Sequence, residues 1–157
     1  MAQTQLSLRE FLDRVADRAR GSRSFASVEV SPARVECMAR GPAEPAVYRV
    51  DADASRVWVS LVMKDRWLSQ SIEADLVHTG DSLGELIEEE WVDLGGAPGA
   101  VVCEHFRSED KLFTYRTGIT GLDSLDDAAV ERSVRMLLAY EACFRRLGDM
   151  NAEGEPD

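Results

Sequence analysis

The chain has 157 residues, of which 45% are hydrophobic and 30% are charged, so one domain with a buried core is expected and disorder throughout is excluded. A formal net charge of −11 opposes binding to nucleic acid, because phosphate groups attract lysine and arginine side chains. The sequence has no apolar stretch of the roughly 20 residues that a membrane span needs and no signal-peptide pattern, so a cytoplasmic protein is predicted.

The first predicted element is an amphipathic helix at residues 7–20. Ser7 and Glu10 fit a capping box, and the apolar side chains that follow recur at helical spacing. The pattern then changes to the alternation of apolar and polar residues that is typical of strands. It predicts a hairpin within residues 25–40 and another short strand at 46–50.

The clearest hairpin pattern lies at residues 57–76. Apolar side chains alternate through 57–63, and the segment 68–76 again has mostly apolar side chains at every second position, after a turn at Lys64 and Asp65. Two paired strands are therefore expected in this part of the chain.

Two tryptophans in this hairpin lie opposite its main apolar face. Trp58 is out of phase with the apolar positions around it, and so is Trp67. If helices cover the main apolar face, these two side chains and Val62 form an exposed apolar surface, which usually marks a binding site or a dimer interface. The alternative is that a further layer of structure covers the tryptophans.

The rest of the chain predicts a helix, a second strand pair and a long final helix. Ser82 and Glu85 fit another capping box, which starts a middle helix at 82–94 with glutamates on its polar side. The later elements are strands at about 100–107 and 111–119 and a helix at 125–148.

This order of elements predicts an α+β fold. Hairpins imply an antiparallel sheet, so we expect about five to seven strands with three helices in the order α-β-β-β-α-β-β-α, the helices covering one face. The predicted domain spans residues 1–150, and a disordered acidic tail follows at 151–157.

The sequence contains no recognisable catalytic or metal-binding motif. Cys103 and His105 share a predicted strand face, but side chains two positions apart stand about 7 Å from each other, too far for the hydrogen bond between a nucleophile and its base. Two ligands also do not make a zinc site. We therefore predict a protein that is not an enzyme and that has no metal or cofactor.

The order of six of the predicted elements is similar to that of a known fold. They lie at 57–63, 68–77, 82–94, 101–106, 112–119 and 126–147. Their order resembles the type III secretion chaperone-like fold and, within it, the YbjN-like bacterial proteins, a family of sensory transduction regulators. The resemblance implies a small acidic homodimer that binds an extended segment of another protein and has no catalytic residues. The hairpin predicted at 25–40 is additional to this pattern.

These observations together predict a non-catalytic module, chaperone-like or regulatory, that captures an extended protein or peptide partner on the edge and the apolar face of its sheet. The residues expected to contact the partner are Trp58, Val62 and Trp67, with Glu88 and Glu89 steering the encounter from the rim. A homodimer is expected, with neither nucleic acid nor a membrane as partner. The alternative is a sensor domain that binds a small ligand in a pocket between the sheet and the helices.

Overall fold

The computed structural model describes residues 5–42, 44–53, 56–80, 82–119 and 124–151. These residues form four α-helices, six strands and a C-terminal 3₁₀ helix. In chain order the elements are α1 (Leu8–Ser22), β1 (Ser27–Val30), β2 (Arg34–Met38), β3 (Ala46–Ala52), β4 (Val57–Met63), α2 (Arg66–Thr79), α3 (Leu83–Asp93), β5 (Glu104–Arg107), β6 (Phe113–Ile119), α4 (Asp127–Phe144) and the 3₁₀ helix (Gly148–Asn151).

The strands form one sheet in the order β1-β2-β3-β4-β6-β5, and every neighbouring pair is antiparallel. The predicted α+β class with an antiparallel sheet is confirmed, and so is the hairpin within 25–40, which is β1 and β2. The described residues contain one helix more than the three predicted. Of the tail predicted at 151–157, residues 152–157 lie outside the described residues.

The additional helix is α2, so the prediction of a strand at 68–76 is wrong. Asp65 starts α2 as its N-cap, because its carboxylate accepts a hydrogen bond of 2.8 Å from the backbone N–H of Leu68. Gly80 ends the helix in the left-handed conformation, with φ at 76°, and its N–H bonds to the carbonyl of Leu76. Capping at both ends thus fixes this segment as a helix.

The hydrophobic core lies between the sheet and helices α1 and α4. Most of the largest fully buried side chains come from α1, from the central strands and from α4, among them Phe11, Leu12, Tyr48, Leu61, Tyr115, Leu137, Tyr140 and Phe144. Helix α3 packs against α4, where Arg135 lies over the ring of Trp91. No helix in the described ranges is long and apolar enough to cross a membrane.

The face of the sheet that points away from this core has no helical layer in the described part of the chain. Along β3, the buried residues Tyr48 and Val50 alternate with Val47, Arg49 and Asp51, which keep partial exposure. Because side chains alternate between the two faces of a strand, these three residues define the second face. We call it the open face.

Candidate functional site

The open face is organised in rows that run across the strands. A mostly apolar row is set by the pairing of Met38 with Val47, of Val47 with Val62, and of Thr114 with both Val62 and Phe106. The next row is charged at both ends and pairs in register as Glu36, Arg49, Ser60, Arg116 and Glu104. An apolar strip therefore lies directly beside a row of fixed charges.

The charged row is paired within itself. The Nε of Arg49 lies 3.0 Å from a carboxylate oxygen of Glu36, and the Nε of Arg116 lies 2.8 Å from one of Glu104. Ser60 lies between the two arginines in this row and is 7% exposed. Partial exposure makes each pair worth little in stability, so their main effect is to orient the guanidinium groups.

Arginine and aromatic side chains form a stack at one end of the open face. Arg116 lies over the rings of both Trp58 and Phe106, with its guanidinium carbon 4.1 Å and 4.9 Å from the ring centroids. Arg56 lies over the same Trp58 ring at 5.1 Å. We call these four residues the arginine–aromatic stack; contacts of this kind are cation–π interactions, which favour a fixed arrangement of the rings.

Two further contacts fix the position of Trp58 in this stack. Its indole N–H donates a hydrogen bond of 2.9 Å to the carboxylate of Asp53. Below it, Gly118 of β6 leaves room, because a Cβ atom there would lie 2.7 Å from Cδ of Arg56 and 3.0 Å from Cζ3 of Trp58. The missing side chain thus lets the stack lie directly on the strand.

A cavity of about 480 Å³ adjoins the stack. Its wall is the segment 97–102, and its lining includes Trp58, Trp91 and Arg132. The wall is held in place by Trp91, whose indole N–H donates to the carbonyl of Ala97 at 2.9 Å. The cavity therefore combines two indole rings with arginine side chains, next to the end of the sheet.

The sheet edge beside the stack is β5. All four residues of β5 are exposed, and two apolar side chains stand out there, Phe106 at 37% exposure and Val102, just before the strand, at 70%. An edge strand presents backbone N–H and C=O groups that another extended chain can pair with. Exposed apolar side chains next to such an edge make pairing more favourable.

The structure brings together two of the five residues predicted to contact a partner. Trp58 and Val62 share the open face, although Val62 is only 5% exposed between its neighbours. Trp67 is 72% exposed but lies on α2, not on the sheet. Glu88 and Glu89 lie on α3, where Glu88 accepts a hydrogen bond of 2.8 Å from the backbone of Gly99. These three residues are therefore separate from the open face.

An acid–imidazole–hydroxyl chain, which the sequence did not predict, lies between α2 and β5. Nδ1 of His105 is 3.0 Å from a carboxylate oxygen of Glu73, and its Nε2 is 3.4 Å from the hydroxyl of Ser69. The ring of His105 also stacks on Tyr115, with centroids 4.0 Å apart. These contacts were not predicted from the sequence, because a strand at 68–76 could not place both Ser69 and Glu73 next to His105.

Glu73, His105 and Ser69 contact each other in the order acid, imidazole, hydroxyl, as in a catalytic triad, but their geometry is not that of a triad. Ser69 is 2% exposed, so its hydroxyl has no access to a substrate. The 3.4 Å contact with His105 is longer than a normal hydrogen bond to a hydroxyl. The Ser69 hydroxyl also lies 3.4 Å from that of Tyr115. The contacts therefore fix α2 on β5 and β6 and leave no activated nucleophile.

The thiol of Cys103 is equally unsuited to nucleophilic catalysis. It accepts a contact of 3.5 Å from the hydroxyl of Tyr140, which in turn is 2.6 Å from the hydroxyl of Thr117. Burial raises the pKa of Cys103 to about 11, so the thiol stays protonated at neutral pH. Among the described residues no group of three or more histidine, cysteine or acidic side chains could hold a metal ion.

We predict that His105 makes the stability of the protein depend on pH. Burial lowers the pKa of His105 below its ordinary value of 6.5, although the carboxylate of Glu73 acts in the opposite direction. The unfolded chain then binds this proton at a higher pH than the folded chain, so the free energy of unfolding falls as the pH drops below about 6.5. Urea denaturation from about pH 8 to about pH 5 should show the loss in the wild type.

The matched controls use both histidines of the sequence. His105→Gln should remove this part of the pH profile, because no imidazole then takes up the proton at that position. His78→Gln should keep it, since His78 is exposed on α2. Identical profiles for wild type and His105→Gln would contradict the effect of partial burial on the pKa of His105.

Comparison with family models, with curated proteins and with solved structures yields no match.

Proposed function

We propose that the protein is a non-catalytic binding module that captures an extended segment of another protein along β5 and across the open face. One observation carries the proposal: a sheet face without a helical layer in the described part of the chain ends at an exposed edge strand with apolar side chains beside it. An extended segment that pairs with an edge gains backbone hydrogen bonds, and pockets on the adjacent face select its side chains.

The arginine–aromatic stack is the proposed anchor of this site. Tryptophan and arginine are enriched among the residues that contribute most to protein interfaces. Tryptophan buries a large area at a low cost in side-chain entropy, and arginine adds directed hydrogen-bond donors and stacking. Arg116 and Trp58 are already held by Glu104 and Asp53, so binding orders them little further. Preorganisation of this kind favours binding, whereas the chemistry of the site offers no group that could transform a partner.

The acidic residues around the site would raise the rate of association with a partner more than the affinity of the complex. Glu88 and Glu89 border a shallow depression that also includes Pro98, a residue that lines the cavity beside the stack. With a net charge of −11, the molecule would attract partners whose approaching region is basic. The proposal also includes a chaperone-like or regulatory role for a cytoplasmic homodimer. Its fold would be related to the type III secretion chaperone-like fold and its YbjN-like members.

The proposal is tested with peptides selected from a random library on the immobilised wild-type protein. Trp58→Ala should weaken binding of a selected peptide by about 30-fold, which corresponds to about 2 kcal/mol, the loss typical of a dominant interface residue. Fluorescence polarisation measures the affinities. Hydrogen exchange of the complex should show slower exchange at the amides of β5.

Trp67→Ala is the matched control, because it removes the same side chain from an exposed position on α2. It should bind the peptide as the wild type does. The proposal fails if the two variants lose affinity equally, or if the slowed amides lie in the helices and not in β5.

A further inference from the structure

We infer that the protein has a second, separate site: an anion-binding cavity that takes a small molecule carrying a diphosphate group. Four arginines line a cavity of about 600 Å³ at the end of the molecule where α1 and α4 finish, and we call it the arginine cavity: Arg23, Arg40, Arg145 and Arg146. Its volume falls within the range of small-molecule sites, about 300–1,000 Å³. It lies between sheet and helices, where the sequence-based alternative of a small-ligand sensor expects a pocket.

Two of the four arginines already have partners. Nε of Arg145 is 3.6 Å from a carboxylate oxygen of Glu141, one turn earlier in α4. Arg146 pairs with the carboxylate of Glu90 on α3, and its Nε also bonds to the carbonyl of Ala142 at 3.3 Å. These two guanidinium groups hold the cavity wall together and neutralise local acids.

The other two arginines are not fixed by contacts of this kind, although the charge of Arg40 acts on the carboxylate of Glu141. Within the part of the chain that the structure describes, the guanidinium groups of Arg23 and Arg40 make neither a hydrogen bond nor an ion pair. Arg23 is the C-cap residue of α1, so its charge also lies near the negative end of that helix. They converge from different parts of the chain, Arg23 after α1 and Arg40 after β2.

Convergence of this kind is unusual in a chain with a net charge of −11. Arg145 and Arg146 are paired with Glu141 and Glu90, which leaves Arg23 and Arg40 as the two cavity arginines without an ion pair among the described residues. Glu141 is the one acid that lines the cavity, and the charges of both Arg145 and Arg40 act on it. Guanidinium groups bind phosphate oxygens with two parallel hydrogen bonds each. A diphosphate offers enough oxygens and charge for Arg23 and Arg40 together.

The probe is inorganic pyrophosphate, titrated into the full chain at constant ionic strength and without divalent cations. Arg23→Gln combined with Arg40→Gln should lose about tenfold or more in affinity by calorimetry, because each substitution removes a charge-assisted hydrogen-bond donor. Arg9→Gln combined with Arg66→Gln removes the same charge from exposed positions on α1 and α2 and should bind as the wild type does.

Amide chemical shifts locate the bound pyrophosphate independently of its affinity. Titration should shift Ser24, Gly41 and Gly148, which line the arginine cavity. The inference is overturned by three results: no saturable binding to the wild type, an equal loss in both double variants, or shifts at Gly118 in place of these residues. Trp58→Ala should leave pyrophosphate binding unchanged, so failure of the arginine cavity to bind pyrophosphate can be distinguished from failure of the proposed partner site.

Discussion

Replacing Phe144 by alanine is expected to lower the free energy of unfolding by about 4 kcal/mol, one of the largest effects that a single substitution in this protein should have. Phe144 is the last residue of α4 and is 0% exposed. Its ring centroid lies 5.1 Å from that of Tyr115 in β6 and 5.4 Å from that of Tyr140. Alanine would leave a cavity between the helix and the sheet and remove both ring contacts.

Urea denaturation measures this loss, with Trp67→Ala as the matched control. Trp67 is 72% exposed on α2, so its removal should change the free energy of unfolding by no more than about 0.5 kcal/mol. Because a loss of about 4 kcal/mol can approach the whole stability of a domain, Phe144→Leu serves as a milder variant with an expected loss of about 1 kcal/mol. Equal losses at Phe144 and Trp67 would mean that the core is not where α4 meets the sheet.

The burial of Phe144 could be predicted from the sequence, since it continues a run of apolar residues at helical spacing that includes Leu137, Tyr140 and Leu147. The segment 68–76 could not be assigned with the same certainty. Its apolar residues Leu68, Ile72 and Leu76 are four positions apart, and a spacing of four satisfies both the period of a strand and that of a helix. The deciding signals were Asp65 and Gly80 as caps and the scarcity of β-branched residues between them.

Part of the candidate site could likewise be predicted from the sequence, and part of it could not. That Trp58 lies away from the core follows from its position in β4, because alternation alone assigns its face. That Arg116 and Phe106 stack on it depends on β6 pairing with both β4 and β5, a register that no local pattern specifies. The arginine cavity is still less predictable, since Arg23 and Arg40 line the same cavity only after α1 and the sheet have packed.

Gly148→Ala is the second substitution with a large expected effect, a loss of about 3 kcal/mol in the free energy of unfolding. Gly148 starts the 3₁₀ helix with a φ of +51°, a conformation that costs any residue with a Cβ. A Cβ there would also lie 2.4 Å from the hydroxyl oxygen of Ser71 and 2.5 Å from the backbone nitrogen of Ile72. Backbone atoms of α2 cannot move aside as a flexible side chain can.

The same substitution would disturb the bonds that attach the 3₁₀ helix to α2. The N–H of Gly148 donates to the carboxylate of Asp75 at 2.6 Å, and the N–H of Asp149 donates to the hydroxyl of Ser71 at 2.8 Å. Gly80→Ala separates the two causes, because Gly80 also has a positive φ, of 76°, but nothing lies within 4 Å of its added Cβ. It should cost only about 1 kcal/mol.

Urea denaturation of both variants, with hydrogen exchange of α2, measures the difference. Faster exchange throughout α2 is expected for Gly148→Ala, because that variant would loosen the helix from its partner, whereas Gly80→Ala should affect only the last turn that Gly80 caps. Gly148 also lines the arginine cavity, so loosening should weaken pyrophosphate binding in the same variant. If Gly148→Ala costs no more than Gly80→Ala, the chain after α4 does not pack on α2, and the wall that this packing gives the arginine cavity is absent.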